Sequence, residues 1–245
     1  MPNMQSTMGP PDCPVDRSLP NDQVGFIALD VETANADISS ICQIAAVRFV
    51  AGEAVDVWHS FVNPGEPFAE LNVSLHGIDA TSVEGAPDFP AVMRTLSALL
   101  TGEVVASHMP FDRIAVERAC LKHRIPPVNC FWIDSARVAR RAWPRFAKKG
   151  YGLRSLASWC GIDFRHHDAI EDARAAGRIL THAIADSGIS VDKWVNYSPP
   201  KSSNSPRVEG RDRLRGTYPR RLPLRYAARA AKDLRAQNHL SVSRP

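Results

Sequence analysis

Two carboxylates follow directly on an apolar run near the start of the chain. Residues 24–29 (VGFIAL) predict a buried strand, and Asp30 and Glu32 come at its end. Side chains two positions apart on a strand project from the same face, so both acids should point in one direction. Neighbouring carboxylates repel each other and lose hydration on burial, a conflict that a divalent cation removes. Oxygen ligands suit Mg²⁺ or Mn²⁺, although an isolated D-x-E pair is more often two surface acids.

Two later acids and one histidine could complete such a site. Asp112 falls at the first turn of a predicted helix, where an acid more often stabilises the helix dipole. Asp172 lies on the last predicted core helix, between alanines of its packed stripe, although a solvated helix face is the simpler interpretation. His167 precedes this helix and is a titratable group suited to accepting a proton near neutral pH.

The elements that must position these residues alternate between strand and helix patterns. Apolar periodicity predicts an α/β domain of about 165 residues, a mixed sheet with helices packed against it. Besides the first strand, strands are predicted over 42–50, 54–62, 103–106 and 130–133, and helices over 87–100, 110–123, 134–143, 153–160 and from 168. Acids on the first strand of such a sheet commonly lie in a cleft at the strand end.

Composition limits the class of protein. A hydrophobic content of 44% is ordinary for a globular chain, and no apolar run approaches the roughly 20 residues of a membrane span. No secretory signal is visible at the N-terminus. The five cysteines are scattered and never spaced C-x-x-C, which argues against a disulfide framework or a zinc site. We therefore expect a cytoplasmic protein without membrane contact.

Both ends of the chain differ from its centre. Residues 1–22 contain five prolines and predict a flexible leader before a catalytic domain over 23–188. Residues 201–245 hold 12 Lys and Arg against three acids, a charge of +9, which leaves −5 for residues 1–200. The segment 189–245 is therefore predicted to be a basic, disordered tail attracted to polyanions. Within it, residues 237–242 (QNHLSV) loosely resemble peptides that dock on sliding clamps.

Taken together, the motifs resemble those of the DEDD superfamily of 3′→5′ exonucleases, in the branch with a catalytic histidine. This branch includes the proofreading epsilon subunit of bacterial DNA polymerase III. The matching segments are Asp30-x-Glu32-Thr33, Phe111-Asp112, the Y-x-L-x-x-L segment from Tyr151, and H-x-A-x-x-D-A from His167 to Ala173. Asn63-Pro64-Gly65 and His76-Gly77-Ile78 match intermediate segments. One departure is Ser107-His108, where the family often has His-Asn.

The resemblance implies a ribonuclease-H-like fold with a five-stranded mixed sheet and a two-metal site. Asp30, Glu32, Asp112 and Asp172 would hold two Mg²⁺ or Mn²⁺ ions, and His167 would accept the proton of the attacking water. Thr33, His76 and Phe111 would hold the terminal nucleotide. The reaction would release 5′-mononucleotides from single-stranded 3′ ends, with DNA favoured, in proofreading or repair, and a polymerase or sliding clamp is a candidate partner.

Two alternatives remain open. The same motifs occur in ribonucleases, and no residue can be assigned to recognise a ribose 2′-hydroxyl, so trimming of RNA is the second hypothesis. A non-catalytic nucleic-acid-binding protein is the third, suggested by the basic tail. A basic cluster before Tyr151 could follow a nucleic-acid backbone or form a solvated helix face; it comprises Arg137, Arg140, Arg141, Arg145, Lys148 and Lys149.

Overall fold

The computed structural model describes residues 25–195, which form a five-stranded mixed sheet covered by helices on both faces. The strand order is β3-β2-β1-β4-β5. The strands are β1 (Phe26–Thr33), β2 (Ile41–Val50), β3 (Glu53–Phe61), β4 (Val104–Ser107) and β5 (Phe131–Asp134). β2 pairs antiparallel with both β1 and β3. On the other side of β1, β4 is parallel to β1 and β5 is parallel to β4. The predicted α/β fold, a mixed five-stranded ribonuclease-H-like sheet flanked by helices, is confirmed.

The helices divide between the two faces of the sheet. They are α1 (Glu70–His76), α2 (Phe89–Leu100), α3 (Phe111–Lys122), α4 (Ser135–Ala142), α5 (Leu153–Trp159), α6 (Ala169–Ser187) and α7 (Val191–Val195). One hydrophobic core joins α2 and α3 to the sheet, and a second joins α4, α5, α6 and α7 to its other face. Among residues 25–195, no helix is long and apolar enough to cross a membrane.

The alternation of side chains along β1 places the acids. Ile27, Leu29 and Val31 pack in the core beneath α2 and α3, whereas Phe26 and Ala28 pack in the core beneath α6. Asp30 and Glu32 continue the second set, because side chains two apart on a strand share a face. Both carboxylates therefore emerge at the carboxyl end of the central strand, on the side that α6 covers.

The helix α6 lies unusually close to β2. A Cβ atom on Gly177 would meet the ring of Phe49 at 2.1 Å, so only glycine allows this approach. The ring of Phe49 is itself stacked on Phe26, with centroids 5.0 Å apart and planes at 5°. Asp168 caps the N-terminus of α6 by accepting hydrogen bonds from the amides of Ile170 and Glu171. This packing fixes the position of the first turn of α6, which carries Asp172.

Three elements were not predicted. No pattern indicated α1 between residues 66 and 86, and the predicted basic loop at 145–150 begins inside a 3₁₀ turn over Pro144–Phe146. The short helix α7 lies beyond residue 188 and buries Val191 and Trp194 in the same core as α6. The leader predicted over 1–22 and most of the tail predicted over 189–245 lie outside the described residues. The domain boundaries therefore stay a prediction.

Candidate metal centre and active site

Three carboxylates from two elements converge at the end of the central strand. One ligand oxygen each from Asp30, Glu32 and Asp172 lies within 4.8 Å of the other two. The first two come from β1, and Asp172 comes from the first turn of α6 and is buried. This geometry is compatible with a shared divalent cation, because hard oxygen ligands at such spacing are what Mg²⁺ and Mn²⁺ prefer.

Asp112 approaches the same strand from the opposite face of the sheet. It occupies the first turn of α3, which follows β4, the parallel neighbour of β1. Its Oδ1 atom accepts a hydrogen bond of 3.2 Å from the amide of Val31, which lies between the two acids of β1. Asp112 is not among the ligand groups within 4.8 Å, but its charge acts on both Asp30 and Glu32. The structure thus brings all four predicted acids to one strand end.

The electrostatics of this cluster favour a cation. Burial, reinforced by the charges of the surrounding acids, raises the pKa of Asp30 well above its ordinary value. The same two causes raise the pKa of Glu32 to about 8. Burial raises the pKa of Asp112 to about 7 against the opposing hydrogen bond from Val31. Burial also raises the pKa of Asp172, with His166 opposing it. Without a cation, the ionised form of all four carboxyls is therefore disfavoured, chiefly by burial, and a bound cation would stabilise it.

Two consecutive histidines face Asp172. Nδ1 of His166 lies 3.0 and 2.9 Å from the two carboxylate oxygens of Asp172. The amide of His167 donates to one of these oxygens at 3.1 Å, and the two imidazole rings stack with centroids 4.1 Å apart. His167 has a left-handed φ of 66°, a conformation that non-glycine residues rarely adopt. Burial and the charge of His166 lower the pKa of His167, so its ring is neutral near pH 7.

The end of β1 is also held by α1. Nδ2 of Asn72 donates to the carbonyl of Thr33 at 2.8 Å and lies 3.3 Å from its hydroxyl. Nε2 of His76 lies 3.1 Å from the same carbonyl, while Nδ1 accepts from the amide of Ile78 at 3.0 Å. Nε2 must therefore carry the proton, and both ring nitrogens of His76 have partners within the protein. Of the predicted substrate contacts, Thr33 is buried and His76 presents its ring edge beside it.

Phe111, the third predicted substrate contact, is exposed. It opens α3 immediately before Asp112, and 43% of its surface is accessible. Met109 beside it is 40% exposed and has a left-handed φ of 70°. A half-exposed aromatic ring next to buried carboxylates offers a stacking surface for a base.

The departure from the family pattern at His108 has a structural role. Nδ1 of His108 lies 2.9 Å from the hydroxyl of Ser135, and Nε2 lies 2.9 Å from the carbonyl of Tyr151. The carbonyl only accepts, so Nε2 carries the proton and Nδ1 accepts from Ser135. Burial lowers the pKa of His108 and keeps this bridging ring neutral. The substitution thus links the loop before α3 to α4 and to the segment before α5.

Two members of the basic cluster are engaged in packing. The guanidinium of Arg140 lies 4.5 Å from the ring centre of Tyr151, and its Nε donates to the carbonyl of Ala147 at 3.0 Å. Arg145 lies over the rings of Phe146 and Trp159, at 5.1 and 5.6 Å. These contacts give Arg140 and Arg145 a structural role that does not require bound nucleic acid.

A sheet of this order, with acids converging from its first strand and its last long helix, is typical of the ribonuclease-H-like fold. The family model RNase_T, described as an exonuclease, matches residues 27–180. The chain belongs to this exonuclease family, and the predicted resemblance is confirmed.

Named relatives and structures agree with this assignment. DNA polymerase III PolC-type from Streptococcus thermophilus is 29% identical over 66% of this chain, and the chain spans only 11% of that protein. Exonuclease X in complex with 5′ overhanging duplex DNA superposes with a TM-score of 0.59 at 21% identity, covering 70% of this chain and 98% of that one. The nuclease domain of 3′hExo, a DEDDh family member bound to rAMP, gives a TM-score of 0.54 at 19% identity, over 68% and 93% of the two chains.

The sequence interpretation did not identify two residues of the site, Asn72 and His166. Asn72 lies one helical turn before His76, so the two side chains share a face of α1. Because no helix was predicted there, the sequence interpretation did not connect them. His166 was passed over in favour of His167, although its ring makes the direct side-chain contact with Asp172. The sequence signal that could have identified it is the pair of consecutive histidines, His166 and His167, directly before the start of α6 at Asp168.

Proposed function

We propose that the protein is a metal-dependent 3′→5′ exonuclease that removes 5′-mononucleotides from DNA. The observation that carries the proposal is the convergence of Asp30, Glu32 and Asp172 within 4.8 Å, with Asp112 acting on the same strand end. The family relationship supports the reaction class. The PolC-type relatives and the DNA complex of Exonuclease X support DNA as the substrate.

The four acids would hold two Mg²⁺ or Mn²⁺ ions. Bound there, such ions would supply an activated water and stabilise the charge that develops on the leaving 3′ oxygen. The protein would supply these oxygen ligands from β1, α3 and α6. We expect ions at this place to stabilise the ionised form of the four carboxyls, whose pKa values are raised chiefly by burial.

His167 is the proposed general base. Its lowered pKa leaves the ring neutral and able to accept a proton at neutral pH. Thr33, His76 and Phe111 are proposed to hold the terminal nucleotide, the first two at the end of β1 and Phe111 by stacking on a base. A polymerase or sliding clamp as partner, and a cytoplasmic location, are further expectations that accompany a role in replication or repair.

RNA is the competing substrate, because 3′hExo, a structural neighbour, was solved with rAMP. One experiment decides both direction and substrate. DNA and RNA oligonucleotides of one sequence, labelled at the 5′ end, are incubated with the full chain and Mg²⁺ or Mn²⁺. We expect stepwise shortening of the labelled DNA. Release of the label as a mononucleotide would indicate the opposite direction, and faster shortening of RNA would reverse the substrate assignment.

The variant Asp30→Asn is the matched control, because it keeps the size of the side chain and removes one ligand charge. Activity equal to that of the wild type in this variant would refute the role of the acid cluster. A chain that binds both oligonucleotides and shortens neither would favour the non-catalytic hypothesis.

A further inference from the structure

The loop between β4 and α3 holds Met109 in a backbone conformation that methionine rarely adopts. Its φ is 70°, in the left-handed region that favours glycine. The Met109 amide donates to Oδ1 of Asp134 at 3.0 Å, and the Ser107 hydroxyl donates to the Met109 carbonyl at 2.9 Å. Asp134 is itself held, because the same oxygen accepts from the first amides of α4. The surrounding structure therefore imposes the left-handed turn.

The residue before Met109 anchors the loop from the inside. The ring of His108 lies 2.9 Å from both the Ser135 hydroxyl and the Tyr151 carbonyl. With His108 bonded inward and the turn fixed, the next side chain is presented at the surface, and Met109 is 40% exposed. Strained conformations that the structure imposes are concentrated at functional sites. The exposed methionine is therefore a candidate for a functional contact.

Met109 belongs to a larger exposed surface. Phe111 is 43% and Ile114 is 37% exposed, and both lie at the start of α3. Residues three apart on a helix are neighbours, so these two side chains share one face. Asp112, between them, turns inward to the amide of Val31. The apolar ridge formed by Met109, Phe111 and Ile114 therefore borders the acid cluster.

The chemistry of this apolar ridge suits a nucleobase better than a phosphate. None of its three side chains carries a charge, and its one polar atom is the weakly accepting thioether sulfur of Met109. Methionine sulfur makes favourable contacts with aromatic rings, and every nucleobase has a π face that tolerates such packing. Phe111 is already proposed to stack on the terminal base. Met109 lies further from Asp112 along the chain, so the next base of the strand is its candidate partner.

We propose that Met109 is a specificity-determining residue that packs against the base of the penultimate nucleotide at the 3′ end of the substrate. The inference rests on the proposed function, because it takes the terminal nucleotide to lie at Phe111. A base packed on Met109 gives up stacking on its neighbour, which costs least where the strand is unpaired. The contact therefore favours single-stranded ends. It holds for DNA or RNA, since it involves the base and not the sugar.

Methionine methyl NMR tests the contact without turnover. The chain has five methionines, of which Met93 is buried and Met109 is exposed. The full chain, carrying ¹³C-labelled methionine methyls, is titrated in Mg²⁺ with a single-stranded oligonucleotide whose terminal phosphorothioate linkage resists hydrolysis. DNA and RNA of one sequence are compared, and the tighter ligand is used.

We expect the Met109 methyl signal, assigned by its loss in Met109→Leu, to move upfield under the ring current of the base. The Met93 signal should stay in place. Binding without a shift of the Met109 signal would overturn the proposal, and so would a lack of binding to either oligonucleotide.

Substitution separates the side chain from the loop that presents it. Met109→Gly keeps the left-handed turn, because glycine adopts it without strain, and removes the apolar side chain. We expect it to raise the Kd for the oligonucleotide about 10-fold, the size of a significant interface truncation, without lowering the melting temperature. Met109→Leu should bind nearly as the wild type does. Wild-type affinity in Met109→Gly would show that Met109 contacts no substrate.

Leu121→Ala is the matched control for loss of an exposed apolar side chain. Leu121 is 78% exposed and lies ten residues beyond Phe111 on α3, a distance of about 15 Å along the helix axis. Its Kd should equal that of the wild type. A similar loss of affinity in Leu121→Ala would mean that apolar truncation anywhere on α3 weakens binding, and the assignment to Met109 would fail.

An oligonucleotide that lacks only the penultimate base identifies the partner. The wild type should bind it about 10-fold more weakly than the intact oligonucleotide, and Met109→Gly should distinguish the two much less, because one member of the contact is already gone. An undiminished effect of Met109→Gly on the abasic ligand would overturn the assignment. Failure of the proposed nuclease function would appear separately, as binding of a hydrolysable oligonucleotide without shortening, and would leave these affinities measurable.

Discussion

The amide of Val31 donates a hydrogen bond to Oδ1 of Asp112 over 3.2 Å, which ties the first turn of α3 to the central strand. Val31 lies between Asp30 and Glu32, so its side chain points to the opposite face of the sheet from the acids while its amide points along the sheet. Asp112 therefore combines two properties: it completes the hydrogen bonding of β1, and it places a buried charge beside the other carboxylates.

Substitution of Asp112 should separate these two properties. Asp112→Asn keeps an oxygen that can accept from Val31 but removes the charge, whereas Asp112→Ala removes both. We expect both variants to lose about 100-fold or more in exonuclease rate, since even outer-shell changes at metal sites reach this order. Only Asp112→Ala should lower the free energy of unfolding, by about 1–3 kcal/mol for the unpaired amide. Urea unfolding at pH 5, where the carboxyl holds its proton, measures the difference. Equal stability of the two variants would refute the structural role of the hydrogen bond.

The metal-free protein should lose stability as pH rises. Acids whose pKa is higher in the folded state than in the unfolded chain stabilise the fold below the unfolded pKa and lose that contribution as pH rises through the folded pKa. Glu32 and Asp112 have folded pKa values of about 8 and about 7, so the loss falls between about pH 4 and pH 8. The melting temperature in EDTA should fall across this range, and Mn²⁺ should restore it more at pH 8 than at pH 5. Asp30→Asn should flatten the fall, and a metal-free melting temperature independent of pH would contradict the prediction.

Asn72 should affect substrate binding more than turnover. Its amide and the ring of His76 hold the Thr33 carbonyl from one face of α1. Asn72→Ala frees the end of β1 where the terminal nucleotide is proposed to bind. We expect KM for an oligonucleotide to rise about 10-fold, the equivalent of a lost hydrogen bond of about 1.4 kcal/mol, with a smaller change in kcat.

Ser74→Ala is the control for this substitution, because the Ser74 hydroxyl bonds only to the carbonyl of Leu71 within α1 in the described structure. It should leave KM unchanged. A fall in kcat with unchanged KM for Asn72→Ala would show that α1 supports the chemical step and not the binding of the nucleotide.

Much of the fold and the acid cluster could be predicted because the signals are local. The alternation in β1 places Asp30 and Glu32 on one face, and the apolar stripe of α6 places Asp172 against the sheet. In contrast, α1 has seven residues and none of them is buried, so it has no apolar periodicity. Its helix is held by Asn72 and His76 bonding to Thr33, about forty residues earlier in the chain.

The contact between His166 and Asp172 is unpredictable for a related reason. It depends on the positive φ of His167, which turns the chain so that the preceding ring faces α6. Positive φ is uncommon even at histidine, so the sequence does not predict it, and it persists only where surrounding structure imposes it. Similarly, the roles of Asn72 and His108 come from tertiary contacts, and neither could be inferred from spacing alone.

Gly177 should be intolerant of even a methyl group. Alanine normally stabilises a helix by about 1 kcal/mol relative to glycine. Here the added Cβ would lie 2.1 Å from the ring of Phe49, which is buried and stacked on Phe26. We expect Gly177→Ala to lower the free energy of unfolding by about 1–3 kcal/mol, the usual range for overpacking. Phe49→Leu in the same chain should recover part of the loss in a double-mutant cycle, and additive effects of the two changes would contradict direct contact.

The pH dependence of turnover should report His167. Burial and the neighbouring His166 hold the pKa of His167 below its ordinary value of 6.5, so the ring loses its proton below that pH. With oligonucleotide and Mg²⁺ saturating at every pH, kcat should rise with pH on the acid side and be level above about pH 6.5. His167→Gln cannot accept a proton and should lower kcat about 100-fold or more, with loss of that acid limb. Melting temperature serves as the control for folding of the variant. A variant with the rate and profile of the wild type would show that the water loses its proton to another group, and His167 would then have only a structural role.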